Sequence, residues 1–108
     1  MDMKLAERIW QDMEASKLVE LRRTVVRMAL EYAQIRAGWY VLSAEERVLR
    51  DRARTLAHNA LIDACNILSR NMAKAGEDIS WRAELSDDRK VIGDFACCLH
   101  ALLGLRMR

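Results

Sequence analysis

Leu18 to Leu42 reads LVELRRTVVRMALEYAQIRAGWYVL and is followed at once by Ser43-Ala44-Glu45-Glu46. Within it, Leu18, Leu21, Val25, Met28, Tyr32, Ile35, Trp39 and Leu42 recur with a 3-4-3-4-3-4-3 spacing. That is the seam of a helix facing another helix. A second set, Val19, Val26, Leu30, Ala33 and Ala37, flanks the seam. Together the two sets cover roughly 220° of the helix, well beyond the ~100° stripe of an ordinary surface helix. Such a helix needs more than one neighbour. The Ser43–Glu46 pair fits a capping box, so a new helix starts there. A joint this short folds the two helices into an antiparallel hairpin.

Working outward, the second long helix is expected to run over about 44–75 and to stop at Gly76, a residue that can take a left-handed cap. Its inner face is read as Ala53, Ala57, Ala60, Ala64, Ile67 and Met72, with Leu61 and Leu68 alongside. A first helix is expected over about 2–14, from the stripe Leu5, Ile9 and Met13, with a break at Ala15-Ser16. Residues Glu77 to Leu85 read as an acidic connector with at most one helical turn. Ser86-Asp87-Asp88 offers a capping hydroxyl followed by two acids at the positive end of a helix dipole. A last helix over about 87–105 carries Val91, Ile92, Phe95, Ala96, Leu99, Leu102 and Leu103 on one face, and Arg106 and Arg108 suit its C-terminal end. The expected fold is all-α: an up-down helical bundle built on a long antiparallel hairpin plus a C-terminal helix, in one domain over 1–108.

Composition agrees. The 108 residues include no proline and four glycines, with 52% apolar and 31% charged residues. A proline-free chain runs long helices freely, whereas turn-rich β folds need glycine and proline at many corners. The apolar content is too high for disorder. No apolar run is long enough for a membrane span. Met1 to Trp10 carries Asp2, Lys4, Glu7 and Arg8 without an apolar core, so no secretory leader is expected. Three cysteines, Cys65, Cys97 and Cys98, make a poor disulfide framework and point to a reducing cytoplasm.

The net charge of +2 is unevenly spread. From Ser16 to Thr55 nine basic residues face five acidic ones, while Glu77 to Asp88 holds five acids and one arginine. The basic segment suits an acidic partner, or the acidic segment of its own chain. Arg22, Arg23, Arg27, Arg47, Arg50 and Arg54 are the residues a nucleic-acid reading would use. That reading is not favoured, because they form no run and sit in no recognisable binding module.

Three groups of residues bear on function. Arg52, Asn59, Asp63, Asn66 and Arg70 form one strip of the second long helix. This strip is either a polar binding seam or a solvated outer face, and every amphipathic helix has such a face. Arg23 and Arg27 belong to the polar strip of the first long helix. Gly93, Cys97, Ala101 and Gly104 make a line of small residues away from the Phe95 face, where another helix can come close. The alternatives are packing within the bundle and an interface with a second copy.

His58, Cys65, Cys97 and His100 can be counted as four zinc ligands, but their spacing matches no recurrent zinc motif, and buried free cysteines usually act as small hydrophobes. No metal and no cofactor are expected. Arg52 and His58 fit the outer limit of the Arg-x(4–6)-His motif, so this seven-residue stretch resembles the HEPN-type helical ribonucleases. The resemblance implies an RNA-cleaving role for the pair. In an uninterrupted helix, however, residues six apart point roughly 120° from each other and do not converge within one chain. Ala57-His58 is similar to the start of a histidine phosphotransfer site, but Leu61 and Ile62 stand where that family has Lys and Gly.

The function expected is therefore non-enzymatic. The chain is read as a protein–protein interaction module or regulator, of the adaptor, antitoxin-like or phage- and plasmid-type inhibitor kind, acting through exposed helix faces. The expected partner is another protein, and the chain is expected to be a homodimer. The alternatives are a nucleic-acid-associated protein and a HEPN-like or metal-dependent enzyme around His58.

Overall fold

In the computed structural model, which describes residues 1–106, the hairpin is closed by its capping box. The Glu46 backbone N–H donates to Ser43 Oγ at 3.1 Å, and the Ser43 N–H donates to Glu46 Oε1 at 3.2 Å. A cap of this kind contributes about 1 kcal/mol. From it α3 runs without interruption over Ala44–Lys74. The expected stop is present. Gly76 takes φ +77, and the N–H groups of Gly76 and Glu77 donate back to the carbonyls of Ala73 and Met72. This is a Schellman ending, and it needs a residue without Cβ strain at Gly76.

The chain enters through α1 (Met3–Glu14), whose first turn is capped by Asp2 Oδ1 accepting from the Leu5 N–H at 2.8 Å. The break expected at Ala15-Ser16 is found. Ser16 Oγ accepts from the Leu18 N–H and donates to Glu77 Oε1 at 2.7 Å, while the Lys17 N–H donates to Glu77 Oε2 at 2.9 Å. One carboxylate thus ties the joint after α1 to the joint after α3.

Helix α2 (Val19–Ala37) lies antiparallel to α3 and also packs along α5 (Arg89–Arg106). These two neighbours account for most of its wide apolar arc. Val25, Ala29, Tyr32 and Ala33 are buried, and Leu21, Val26, Met28 and Leu30 are half-buried. Helix α1 covers α5, and a single short helix, α4 (Ser80–Glu84), sets the fully buried Trp81 against the base. Ile9, Met13, Leu61, Leu68, Phe95 and Leu99 meet in the same core. Each such side chain contributes about 1.5–3 kcal/mol relative to exposure. Among the described residues there is no strand, and no helix is long and apolar enough to cross a membrane.

Three boundaries or faces differ from expectation. Helix α2 ends at Ala37 rather than at Leu42: Gly38 intervenes, and Trp39–Val41 form a separate 3-10 turn. Glycine, the weakest helix former short of proline, ends the run although the apolar spacing continues. Helix α5 is capped by Asp88, whose Oδ1 accepts from the N–H groups of Lys90 and Val91, and not by the Ser86 hydroxyl. The inner face of α3 is turned by roughly a quarter of a revolution from the alanine line. It consists of His58, Leu61, Ala64, Cys65, Leu68, Ser69 and Met72, so Ala64 and Met72 are buried as expected while Ala53 and Ile67 are exposed. Alanine packs acceptably on either side of a helix, so the larger side chains chose the face. Arg108 and the side chain of Arg106, expected at the end of the last helix, lie outside the described residues.

Candidate functional site

The lengths of the helices decide where the molecule is bare. Helix α3 has 31 residues and α2 has 19, about 46 Å against 28 Å at 1.5 Å per residue. Tyr32 meets His58 edge-to-face, with ring centroids 5.8 Å apart, which places Ala37 opposite the region of Ala53. Arg89, the first residue of α5, donates to Thr55 Oγ1 at 3.1 Å. Residues 44–52 therefore extend past both α2 and α5 and, among the described residues, are faced by the 3-10 turn.

That turn is fastened to the projecting helix. Arg47 donates from Nε to the Trp39 carbonyl at 3.1 Å and from Nη2 to the Tyr40 carbonyl at 3.2 Å. The Arg54 guanidinium lies over the Trp39 ring, 4.1 Å from its centroid, and also pairs with Asp51 at 2.8 Å. The result is an ordered tip whose large apolar side chains face water. Tyr40 is 77% exposed, Val41 86%, Val48 76% and Leu49 82%. Single exposed apolar residues are common, but four within ten positions at one end of a small domain are a concentration of apolar surface.

Beside the tip lies an open cleft of about 310 Å³. Arg36, Arg54, Arg89 and Lys90 supply its charge, and Tyr32, Trp39 and Tyr40 supply aromatic surface; among the described residues no acidic side chain lines it. Arg36 is held in place from α5, with Nη2 on Asp94 Oδ1 at 2.8 Å and Nη1 on the Lys90 carbonyl at 3.4 Å. The Met1 amine takes the other Asp94 oxygen at 3.0 Å. Burial pushes the Tyr32 phenol up, against an opposing pull from Arg36, Arg89 and Arg54, so three guanidiniums act on one oxygen. Burial also lowers His58, with Arg89 adding to the effect and Asp87 and Asp88 opposing it.

The residues expected to form interaction surfaces fall on three helices. On α3, Arg52, Asn59, Asp63 and Arg70 are exposed, as a solvated outer face would have them. Asn66 is half-buried and accepts from Arg82 Nε at 2.8 Å, and Arg82 also bonds the Leu85 carbonyl and Asp87. On α2, Arg27 is exposed, and Arg23 pairs with Glu20 of the same helix at 3.0 Å. The small-residue line on α5 divides. Gly93 is buried beneath Arg36, Cys97 is half-buried, and Gly104 is exposed with open space around it.

His58 is buried while Arg52 is exposed, so the pair does not converge. Among the described residues no three of His, Cys, Asp or Glu gather to hold a metal ion. Of the arginines a nucleic-acid reading would use, Arg22 is bound to the Glu14 carbonyl, Arg23 to Glu20, Arg47 to the turn and Arg54 to Asp51.

No protein-family model matches the chain, and no curated protein or solved structure shows a significant likeness to it.

Neither the tip nor the cleft was expected from the sequence. Tyr32 and Trp39 sit in the α2 seam and read as core, and Arg36 reads as one more basic residue. The available signal was Gly38, which ends α2 early, leaves α3 the longer partner and takes Trp39 out of the seam.

Proposed function

We propose that this chain is a non-enzymatic protein–protein interaction module or regulator, of the adaptor, antitoxin-like or inhibitor kind, and that it docks through the hairpin tip. The observation that carries this reading is the exposure of Tyr40, Val41, Val48 and Leu49 on a projection that no other helix covers. Contiguous apolar surface rimmed by charge is what protein interfaces bury. Arg50, Arg52 and Glu45 stand beside the patch as exposed polar neighbours. The partner is another protein, and a second copy of the chain, meeting tip to tip about a two-fold axis, is the simplest one. The site of action is the cytoplasm, where three unpaired thiols stay reduced.

The test compares the full chain with Val48→Glu/Leu49→Glu, both by mass in solution and by affinity capture from the native host. The expected outcome is a dimer or a captured protein with the unaltered chain, lost in the variant while the helical signal is kept. A monomer at high concentration that captures nothing, or association that survives both substitutions, rejects the tip.

A further inference from the structure

The cleft beside the tip differs in chemistry from the apolar tip itself. Among the described residues its lining carries four cationic side chains and no carboxylate. Two of the four, Arg36 and Arg54, are braced by Asp94 and Asp51, which fixes their guanidinium planes at the wall. The other two, Arg89 and Lys90, are exposed at the start of α5, and among the described residues Arg89 bonds the uncharged Thr55 hydroxyl. Guanidinium forks match phosphate oxygens two at a time, and an ammonium adds a point charge. With Arg36 and Arg54 each paired to a carboxylate, Arg89 and Lys90 leave two uncompensated positive charges, which a multiply charged anion matches better than a single carboxylate.

The remaining walls are aromatic. Arg54 already covers one face of Trp39, whereas Tyr40 is 77% exposed and free to lie against a planar ring. The volume of about 310 Å³ is at the lower end of the ~300–1,000 Å³ typical of small-molecule sites. A nucleic-acid strand would need a basic track leading away from the cleft. Arg50 and Arg47 continue from Arg54 along α3, but Arg47 is spent on the carbonyls of the turn, Asp51 pairs with Arg54, and Asp87 and Asp88 immediately precede Arg89, so the track is interrupted. We infer that the cleft bounded by Arg36, Arg54, Arg89, Lys90 and Tyr40 binds a free nucleotide, with the phosphates on the cations and the base against Tyr40. Tyr40 serves both readings, but Arg89 and Lys90 lie outside the tip and Val48 and Leu49 outside the cleft lining, so substitutions at those two pairs test the readings separately.

Calorimetric titration of the full chain at low ionic strength, with ATP, inorganic pyrophosphate and adenosine as probes, tests it. ATP should bind saturably at one site. Pyrophosphate, lacking the ring, and adenosine, lacking the charge, should each bind more weakly. Arg89→Ala/Lys90→Ala, at two exposed positions, should weaken ATP by about tenfold or more through lost charge-assisted bonds. Tyr40→Ala should weaken ATP but leave pyrophosphate unchanged. The inference is overturned if ATP shows no saturable binding. It is equally overturned if ATP binding is indifferent to the Arg89/Lys90 substitutions, or if a single-stranded oligonucleotide or an acidic peptide binds the cleft where ATP does not.

Discussion

Arg36 lies across Gly93, so closely that a Cβ built on the glycine would fall 1.9 Å from the guanidinium nitrogen. The contact joins α2 to α5 at the wall of the cleft, and it holds because the same guanidinium is bonded to Asp94 and to the Lys90 carbonyl. Gly93→Ala gains up to ~1 kcal/mol of helix propensity. It also dislodges a charged hydrogen-bonding group, a loss of about 1.5–3 kcal/mol. The net expectation is a destabilisation of about 1 kcal/mol by urea titration. Gly104→Ala, in the same line of small residues but with open space around it, should leave stability unchanged or raise it by up to ~1 kcal/mol.

The tip and the core should respond oppositely to comparable changes. Val48→Glu and Leu49→Glu alter side chains already in water and should shift unfolding free energy by no more than about 0.5 kcal/mol. Leu61→Ala and Leu68→Ala remove fully buried groups and should each cost about 2–5 kcal/mol. Chemical denaturation of the four variants checks this. A large loss from either tip variant would mean that the tip is packed.

His58 sets a pH dependence whose sign follows from its lowered pKa. As pH falls below the ordinary value of 6.5, the unfolded chain takes up a proton that the buried imidazole still declines. The unfolded state then binds more protons, so stability falls as pH drops towards the folded pKa and levels off beneath it. His58→Leu should remove this slope. Carboxylates such as Glu77 act lower. The Lys17 N–H and the Ser16 hydroxyl hold it below its usual 4.5, so its contribution is present above that value and is lost as pH falls through the depressed pKa. Stability measured between pH 7 and pH 5, with and without His58, separates the two.

The cysteines should be poor nucleophiles. Burial pushes Cys65 up to about 12, and raises Cys97 and Cys98 as well. Because the thiolate is the reactive form, a thiol reagent at mildly alkaline pH should label Cys97 and Cys98 slowly and reach Cys65 only after denaturation. Peptide mapping of the labelled protein reads this directly, and rapid labelling of Cys65 in the native state would contradict its burial.

The hairpin was legible because its signals are local. The Ser43–Glu46 box, the left-handed Gly76 and the Ser16 break each depend on a few neighbouring residues. The rotation of α3 was not legible. Ala64 and Met72 are buried as expected, but Ala53, Ala57 and Ala60 gain little from either face, whereas Leu61 and Leu68, read as flanking, must be covered. The cleft was hidden for a different reason. It gathers residues from α2, the 3-10 turn, α3 and α5, and positions such as Arg36 and Lys90 are brought together only by tertiary packing. The tip stayed hidden because a heptad pattern that reads through Gly38 makes the two long helices nearly equal in reach.

Helix α3 outruns its neighbours. The amides of residues 44–52 are sheltered by little beyond the bonds of their own rod and the turn beneath them. Solvent deuterons should reach them by fraying a few turns, with no need for the bundle to come apart. The molecule thus divides into a base that opens all at once and a spur that breathes by itself. Anything seated on the spur would announce its arrival as slowed exchange confined to that stretch, with the base unmoved.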